Sequence, residues 1–150
     1  MQVGTCYGVS SASMLAVSSR SHIVLYEPEL DKYPATREVM EMLGERVECH
    51  DALESTMDSY THQLGSDKPF LLINQVNTKA EADALSQYVK SLLGGECVIV
   101  MRNLARSKRM KGLWQEWHGW AQHGQTFTNE KIAVIVASPK LQREDFFLWF

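Results

Sequence analysis

Residues 131–137 read KIAVIVA, a run that is apolar apart from Lys131. A strand that is apolar on both sides is typical of a sheet covered by helices on both faces. Three earlier stretches share this character and read HIVLYE (22–27), FLLIN (70–74) and CVIVM (97–101). Together with a shorter segment at 46–50, they predict a sheet of five strands.

The segments between these strands have the apolar spacing of helices. Asp51 with Glu54, and Thr78 with Glu81, match the capping box that begins a helix. Because strands and helices alternate, right-handed crossovers and a parallel sheet are expected. The predicted fold is a single three-layer α/β domain over residues 1–150, with a mainly parallel five-stranded sheet and helices on both faces.

Composition sets the broad class of the protein. With 150 residues, 45% of them hydrophobic and 22% charged, the chain matches one ordinary globular domain. Its longest apolar runs are too short to cross a bilayer, and the N-terminal stretch lacks the basic and apolar regions of a signal peptide. Three widely separated cysteines without a CxxC motif favour a reducing, cytoplasmic setting. A net charge of −3 gives no general attraction to nucleic acid or membranes.

Polar side chains follow two of the predicted strands. Asn74 and Asn77 come at the end of the third strand, and Arg102 follows the fourth. Ligands of open parallel sheets bind beyond the carboxyl ends of the strands. These residues therefore predict a sheet-end pocket, and an enzyme with an unfamiliar site there remains an open alternative.

The strand ends also resemble those of receiver domains in two-component signalling. Glu27 and Glu29 follow the first strand, and Lys140 follows the fifth. Asn74 or Gln75 stands where the resemblance requires a phosphoacceptor aspartate, and an amide cannot accept a phosphoryl group. The resemblance implies a pseudo-receiver that binds other proteins.

Other chemistry is not indicated. The stretch GVSSAS at 8–13 is similar to a phosphate-binding loop, but it lacks the second glycine and the lysine, so Ser10 or Ser11 is expected only to cap a helix. No nucleophile motif is present, and His118 and His123 do not have the i, i+4 spacing of two metal ligands on a helix. We assign no catalytic residue, metal or cofactor.

The segment 102–120 combines basic residues with tryptophans. Its members are Arg102, Arg106, Lys108, Arg109, Lys111, Trp114, Trp117 and Trp120. The tryptophans could be the buried stripe of an amphipathic helix. Alternatively, the segment could bind a protein partner, or bind single-stranded nucleic acid by contacting phosphates and stacking on bases.

The C-terminus carries a second candidate contact. Phe146, Phe147, Trp149 and Phe150 form an apolar tip. Such a tip must be covered, by an added strand or helix of this domain or by a second chain. A homo-oligomer formed through the C-terminus is therefore one expectation.

Residues 22–103 resemble the SulA family of bacterial cell-division inhibitors. The shared features are a strand ending in LYEP, the stretch ALESTMDSYTHQLGSDKPFLLIN, and TKAEADALSQYVKSLLGGECVIVMRN with its strand ending in Met-Arg. The resemblance implies a RecA-like fold without a nucleotide-binding loop, and a non-catalytic regulatory protein that blocks FtsZ assembly by binding FtsZ. The segment 102–120 departs from that family, and no individual contact residue is carried over.

Overall fold

A computed structural model describes residues 1–5 and 7–149 and forms two compact units, Met1–Gly65 and Ser66–Phe150. Five α-helices and eight strands lie in these described residues, which confirms the predicted α/β class. None of the described helices has the length and hydrophobicity needed to span a membrane.

The first unit contains three strands that run parallel in the order β3-β2-β1. Its elements are β1 (Gln2–Val3), α1 (Val9–Ala16), β2 (Ile23–Tyr26), α2 (Pro34–Leu43), β3 (Val47–His50) and α3 (Leu53–Leu64). Strand β1 was not predicted, because two residues are too few to show a hydrophobic period.

Helices cover both faces of this small sheet. Ile23 and Leu25 of β2 pack with Leu15 of α1 and Met40 of α2. On the opposite face, Glu48 of β3 accepts a hydrogen bond of 2.8 Å from Ser59 of α3. The layering predicted from two-sided apolar strands therefore holds within this unit.

The second unit contains a mixed sheet in the order β4-β5-β7-β6-β8. Its elements are β4 (Phe70–Ile73), α4 (Lys79–Leu92), β5 (Cys97–Met101), α5 (Lys108–Trp120), β6 (Gly124–Thr128), β7 (Ala133–Ala137) and β8 (Glu144–Phe147). Strands β4 and β5 are parallel, as are β6 and β8, whereas β7 is antiparallel to both β5 and β6.

The direction of the KIAVIVA strand was therefore predicted wrongly, and the number of strands was too low. The tight connection before β7 makes it the second strand of a hairpin with β6. In that turn the Asn129 side chain accepts hydrogen bonds from the amides of Lys131 (3.1 Å) and Ile132 (2.9 Å), and Glu130 has a φ of 66°. Asparagine at a turn was the available signal for the hairpin.

The two faces of the second sheet differ in how they are covered. One face carries Ile99, Ile135 and Thr126, which are buried. Helix α5 lies on this face, because its His118 and Thr126 of β6 both hydrogen-bond to the same Asp145 oxygen. Helix α4 packs against α5. The other face carries half-buried valines, and continuous apolarity in β7 thus reflects one covered face and one partly open face.

Of the two helix starts predicted from a capping box, the one at Thr78 is confirmed. The Thr78 hydroxyl accepts a hydrogen bond from the Glu81 amide (3.1 Å), and the Glu81 carboxylate accepts one from the Thr78 amide (3.3 Å). Asp51 does not cap α3, which has Ala52 at its N-cap. Neither Ser10 nor Ser11 caps α1, which has Gly8 there.

Gly124 should be essential for the β6–β7 hairpin. Its φ is 110°, and a Cβ there would collide with the Val136 carbonyl oxygen and lie 2.9 Å from the Ala137 Cα. We expect Gly124→Ala to lower the free energy of unfolding by about 3 kcal/mol, because the backbone conformation and the collision both oppose a side chain. Urea denaturation measures this change.

Gly112→Ala is the matched control. A Cβ at Gly112, in the middle of α5, meets no atom within 4 Å. Replacing a helical glycine by alanine should raise the free energy of unfolding by about 0.5–1 kcal/mol. If both variants changed stability in the same direction and to the same extent, the role assigned to Gly124 would be wrong.

Candidate functional site

The loop between β1 and α1 follows the first strand, as a phosphate-binding loop does, but the amides of Thr5 and Gly8 donate hydrogen bonds within the chain. The Thr5 amide donates to the Glu27 carboxylate at 2.9 Å. The Gly8 amide donates to the Thr5 hydroxyl at 3.1 Å and to the Thr5 carbonyl at 3.3 Å. Ser11 is fully buried and donates to Gln2 at 2.9 Å. A carboxylate oxygen of Glu27 therefore occupies the Thr5 amide of this loop.

Glu27 also organises the turn that follows β2. Its second carboxylate oxygen accepts a hydrogen bond of 3.4 Å from the Glu29 amide, and its own amide donates to the His50 carbonyl at 2.9 Å. Like charges repel strongly where water is limited, so an anionic ligand would have to displace Glu27 from the Thr5 amide. Sequence reasoning placed Glu27 at a strand end but missed this contact.

In the second unit, Asn74 and Arg102 of the predicted sheet-end pocket lie together. Asn74 is fully buried, and its side-chain oxygen accepts a hydrogen bond of 3.4 Å from the Arg102 guanidinium. Asn103, at a φ of 61°, donates from its side chain to the Asn74 carbonyl at 2.9 Å. These groups bind one another and join the ends of β4 and β5.

Asn77, the third residue of the predicted pocket, is contacted by Arg109. The Arg109 guanidinium donates to the carbonyl oxygens of Asn77 and Val76, the latter at 3.4 Å. The Asn77 side chain accepts a hydrogen bond of 2.5 Å from Gln75. Arg109 therefore attaches α5 to the loop after β4, which is a structural use of a residue that was predicted to contact a partner.

The tryptophans of α5 face the interior of the second unit to different extents. Trp117 is fully buried, and its indole N–H donates to the Ser86 hydroxyl at 2.9 Å, while that hydroxyl donates to Glu116 at 3.0 Å. Trp114 and Trp120 are half-buried. The buried-stripe interpretation holds for Trp117, which is not available to stack on a base.

The half-buried tryptophans have neighbours of their own. The Trp114 ring lies 5.0 Å from the His118 ring, and the Lys90 ammonium lies 5.3 Å from the centre of the Trp120 ring. The exposed members of the segment are instead its basic residues: Arg106, Lys108, Arg109 and Lys111. These basic residues of the segment are therefore exposed, whereas its tryptophans are buried or half-buried.

The C-terminal tip is partly accounted for by a strand of the same unit. Phe146 and Phe147 lie in β8 and remain 39% and 45% exposed, and Trp149 is 87% exposed. Phe146 stacks on Phe127 with a centroid distance of 5.0 Å. Phe150 lies outside the described residues.

Lys140 does not lie where a receiver domain would need it. Because β7 is antiparallel to β5, its C-terminal residue Ala137 pairs with Cys97 at the start of β5. Lys140 therefore lies at the opposite end of the strands from Asn74, and it contacts Glu96 at 3.0 Å. The expected grouping of a lysine with the third strand end is wrong.

A groove in the first unit was not foreseen from the sequence. It is shallow, has a volume of about 480 Å³ and lies between α2 and β3, with Met40, Val47 and Cys49 among its lining residues. Partial burial and, to a lesser extent, the Glu27 charge raise the pKa of the Cys49 thiol. The thiol therefore stays protonated near neutral pH and is a weak nucleophile.

Comparison with known proteins yields no relative. No protein-family model matches the sequence, and neither a curated protein nor a solved structure matches it. Among residues 1–5 and 7–149, no three His, Cys, Asp or Glu side chains are grouped so as to hold a metal ion.

The Lys140 contact leads to a pH prediction. A hydrogen bond from Lys68, then one from Lys140 and the charges of both, lower the pKa of Glu96 from 4.5 to about 2. Since the folded pKa lies below the unfolded one, this stabilisation is complete above pH 4.5 and is lost as the pH falls through about 2. Glu96→Gln should make the urea midpoint less dependent on pH in that range.

The exposed Glu45, replaced by glutamine, is the control for this measurement. Its profile should follow that of the parent protein. A Glu96→Gln profile that also followed the parent would contradict the contribution assigned to the two lysines.

Proposed function

We propose that the chain is a non-catalytic, cytoplasmic regulatory protein that acts by binding another protein, as the SulA-like inhibitors of FtsZ assembly do. The observation that carries the proposal is the hydrogen bond from the Thr5 amide to Glu27. A carboxylate oxygen therefore occupies one amide of the loop after the first strand, the position at which phosphate-binding loops use their amides to hold phosphate.

The polar strand ends of the second unit support the same proposal. Asn74, Arg102 and Asn103 are engaged with one another, and Arg109 is engaged with backbone carbonyls. A catalytic group must be free to contact a substrate. The groups that could have served as an active site instead hold the sheet and α5 together.

The exposed start of α5 is the surface we assign to the partner. Ser107 caps the helix by accepting the Met110 amide at 3.2 Å, and the first turn carries Lys108 and Arg109 with no acidic residue. Cations at a helix N-terminus oppose the helix dipole, typically by a few tenths of a kcal/mol each. Arg109 is used by its contacts with the loop after β4, but helix stability does not explain Lys108, whose exposed charge suits an acidic surface on a partner.

Sedimentation of purified FtsZ polymers in GTP tests the proposal. We expect the pelleted fraction to fall as this chain is added. Arg106→Glu combined with Lys111→Glu should weaken the effect about tenfold, a change of roughly 1.4 kcal/mol, because both charges are exposed and would be reversed. Arg20→Glu, an exposed change in the first unit, should leave it unaltered.

Two results would contradict the proposal at different levels. Unchanged FtsZ sedimentation at excess concentrations of this chain would exclude the SulA-like form. Hydrolysis or tight binding of ATP or GTP, measured by calorimetry, would exclude a non-catalytic protein whose phosphate loop is closed by Glu27.

Nucleic-acid binding is a second candidate, favoured by the exposed cluster of Arg106, Lys108 and Lys111. Because Trp117 is buried, the affinity would come mainly from phosphate contacts. Binding to single-stranded DNA should then weaken steeply with added salt, and Arg106→Ala with Lys111→Ala should reduce both the affinity and its salt dependence. Affinity that is indifferent to salt and to these changes would rule this candidate out.

A further inference from the structure

Strand β8 ends the sheet of the second unit, and no described strand lies beyond it. The Leu148 amide donates inwards to the Thr128 carbonyl at 2.8 Å. Because the direction of backbone groups alternates along a strand, the N–H and C=O groups of Asp145 and Phe147 point outwards. These outward groups form an edge that can accept another strand.

Charged side chains on an edge strand usually prevent it from pairing with another chain, and the acidic residues of β8 make contacts within their own unit. Asp145 accepts hydrogen bonds from Thr126 (2.7 Å) and His118 (3.0 Å) and lies 3.6 Å from Arg143. Glu144 accepts one from Gln125 at 3.2 Å. The Arg143 guanidinium thus offsets part of the Asp145 charge, whereas Glu144 is held by a neutral amide and keeps its charge at the end of the strand.

We infer that β8 pairs in antiparallel fashion with β8 of a second copy of this chain, about a two-fold axis at Phe146. For the outward N–H and C=O groups of the two strands to bond to each other, the two-fold axis must pass through a residue. Asp145 and Phe146 are the two residues in the middle of β8. An axis at Asp145 would place the two Asp145 carboxylates opposite each other, which is destabilising. An axis at Phe146 places two aromatic rings opposite each other, a favourable cross-strand pair.

The partly open face of the sheet supports this axis. Cross-strand neighbours on that face form one apolar row, which consists of Leu72, Val100, Val134, Phe127 and Phe146. Phe146 is the outer end of the row. When the two-fold axis passes through Phe146, the apolar rows of the two copies meet at this residue and form one continuous apolar row. A polar residue at position 146 would interrupt it.

The available area predicts how tightly the copies associate. Phe146, Phe147 and Trp149 are 39%, 45% and 87% exposed. Since aromatic side chains bury about 150–250 Å² each, they offer roughly 350 Å² per copy. That is about half of the ~800 Å² per partner in a standard interface, so we expect a reversible dimer with a micromolar dissociation constant.

Analytical ultracentrifugation of the unaltered chain is the first test. The weight-average mass should rise from monomer to dimer over micromolar concentrations. A monomer at every concentration up to about a hundred micromolar would overturn the inference. The inference does not depend on the proposed function, so FtsZ or nucleotide measurements do not bear on it.

Disulfide trapping tests the axis itself, in a background with the natural cysteines replaced (Cys6→Ser, Cys49→Ser, Cys97→Ala). Residues opposite each other in a non-hydrogen-bonded pair have Cα atoms about 4.5 Å apart, within disulfide range. Phe146→Cys should therefore form a covalent dimer on mild oxidation. Thermal unfolding of the reduced variants confirms that they fold.

Phe147→Cys is the matched control. With the axis at Phe146, the two copies of residue 147 lie roughly 8 Å apart, beyond disulfide range. This variant should cross-link at least tenfold more slowly. Cross-linking as fast at residue 147 as at 146 would overturn the proposed axis.

Discussion

The antiparallel ladder of β5, β7 and β6 determines the arrangement of the second unit. It depends on a close approach at Gly124, where the Val136 carbonyl oxygen occupies the space that a Cβ atom would fill. Because β7 is antiparallel to β5, the C-terminal end of β7 and the following Lys140 lie at the opposite end of the strands from Asn74. The grouping of polar side chains that a fully parallel sheet would create therefore does not form. The ladder also aligns Val100 with Val134 on the partly open face.

The sequence patterns record burial more faithfully than strand direction. All five predicted strands exist; four of them are runs of apolar residues, and the fifth, β3, reads VECH. Strand direction depends on how the chain returns, and the polar turn around Asn129 was not recognised as the turn of a hairpin. Strand β6 was missed because GQTFT has only one large apolar residue. Strand β8, with two acidic and two aromatic residues, left its structure open between strand, helix and interface.

The candidate sites divide along the same line. Asn74 and Arg102 could be placed together from the sequence, since the ends of adjacent parallel strands meet. The burial of Trp117 agrees with one of the interpretations of the helical spacing, but its hydrogen bond to Ser86 joins two helices and has no local signal. The contact between Thr5 and Glu27 spans 22 positions and links an amide to a side chain. No periodicity or motif predicts such a contact, so only the folded structure reveals that the Thr5 amide is bonded to a carboxylate.

The position of Glu27 also affects how the protein can change over time. A lysine introduced into the loop would find the amides already bonded to a carboxylate. Loss of the carboxylate alone would free the Thr5 amide without supplying a positive charge for a phosphate. Either change alone therefore leaves one requirement unmet, and loss of the carboxylate also removes the Thr5 and Glu29 contacts. A phosphate site at this loop would therefore need at least two substitutions, one that removes the carboxylate and one that adds a positive charge.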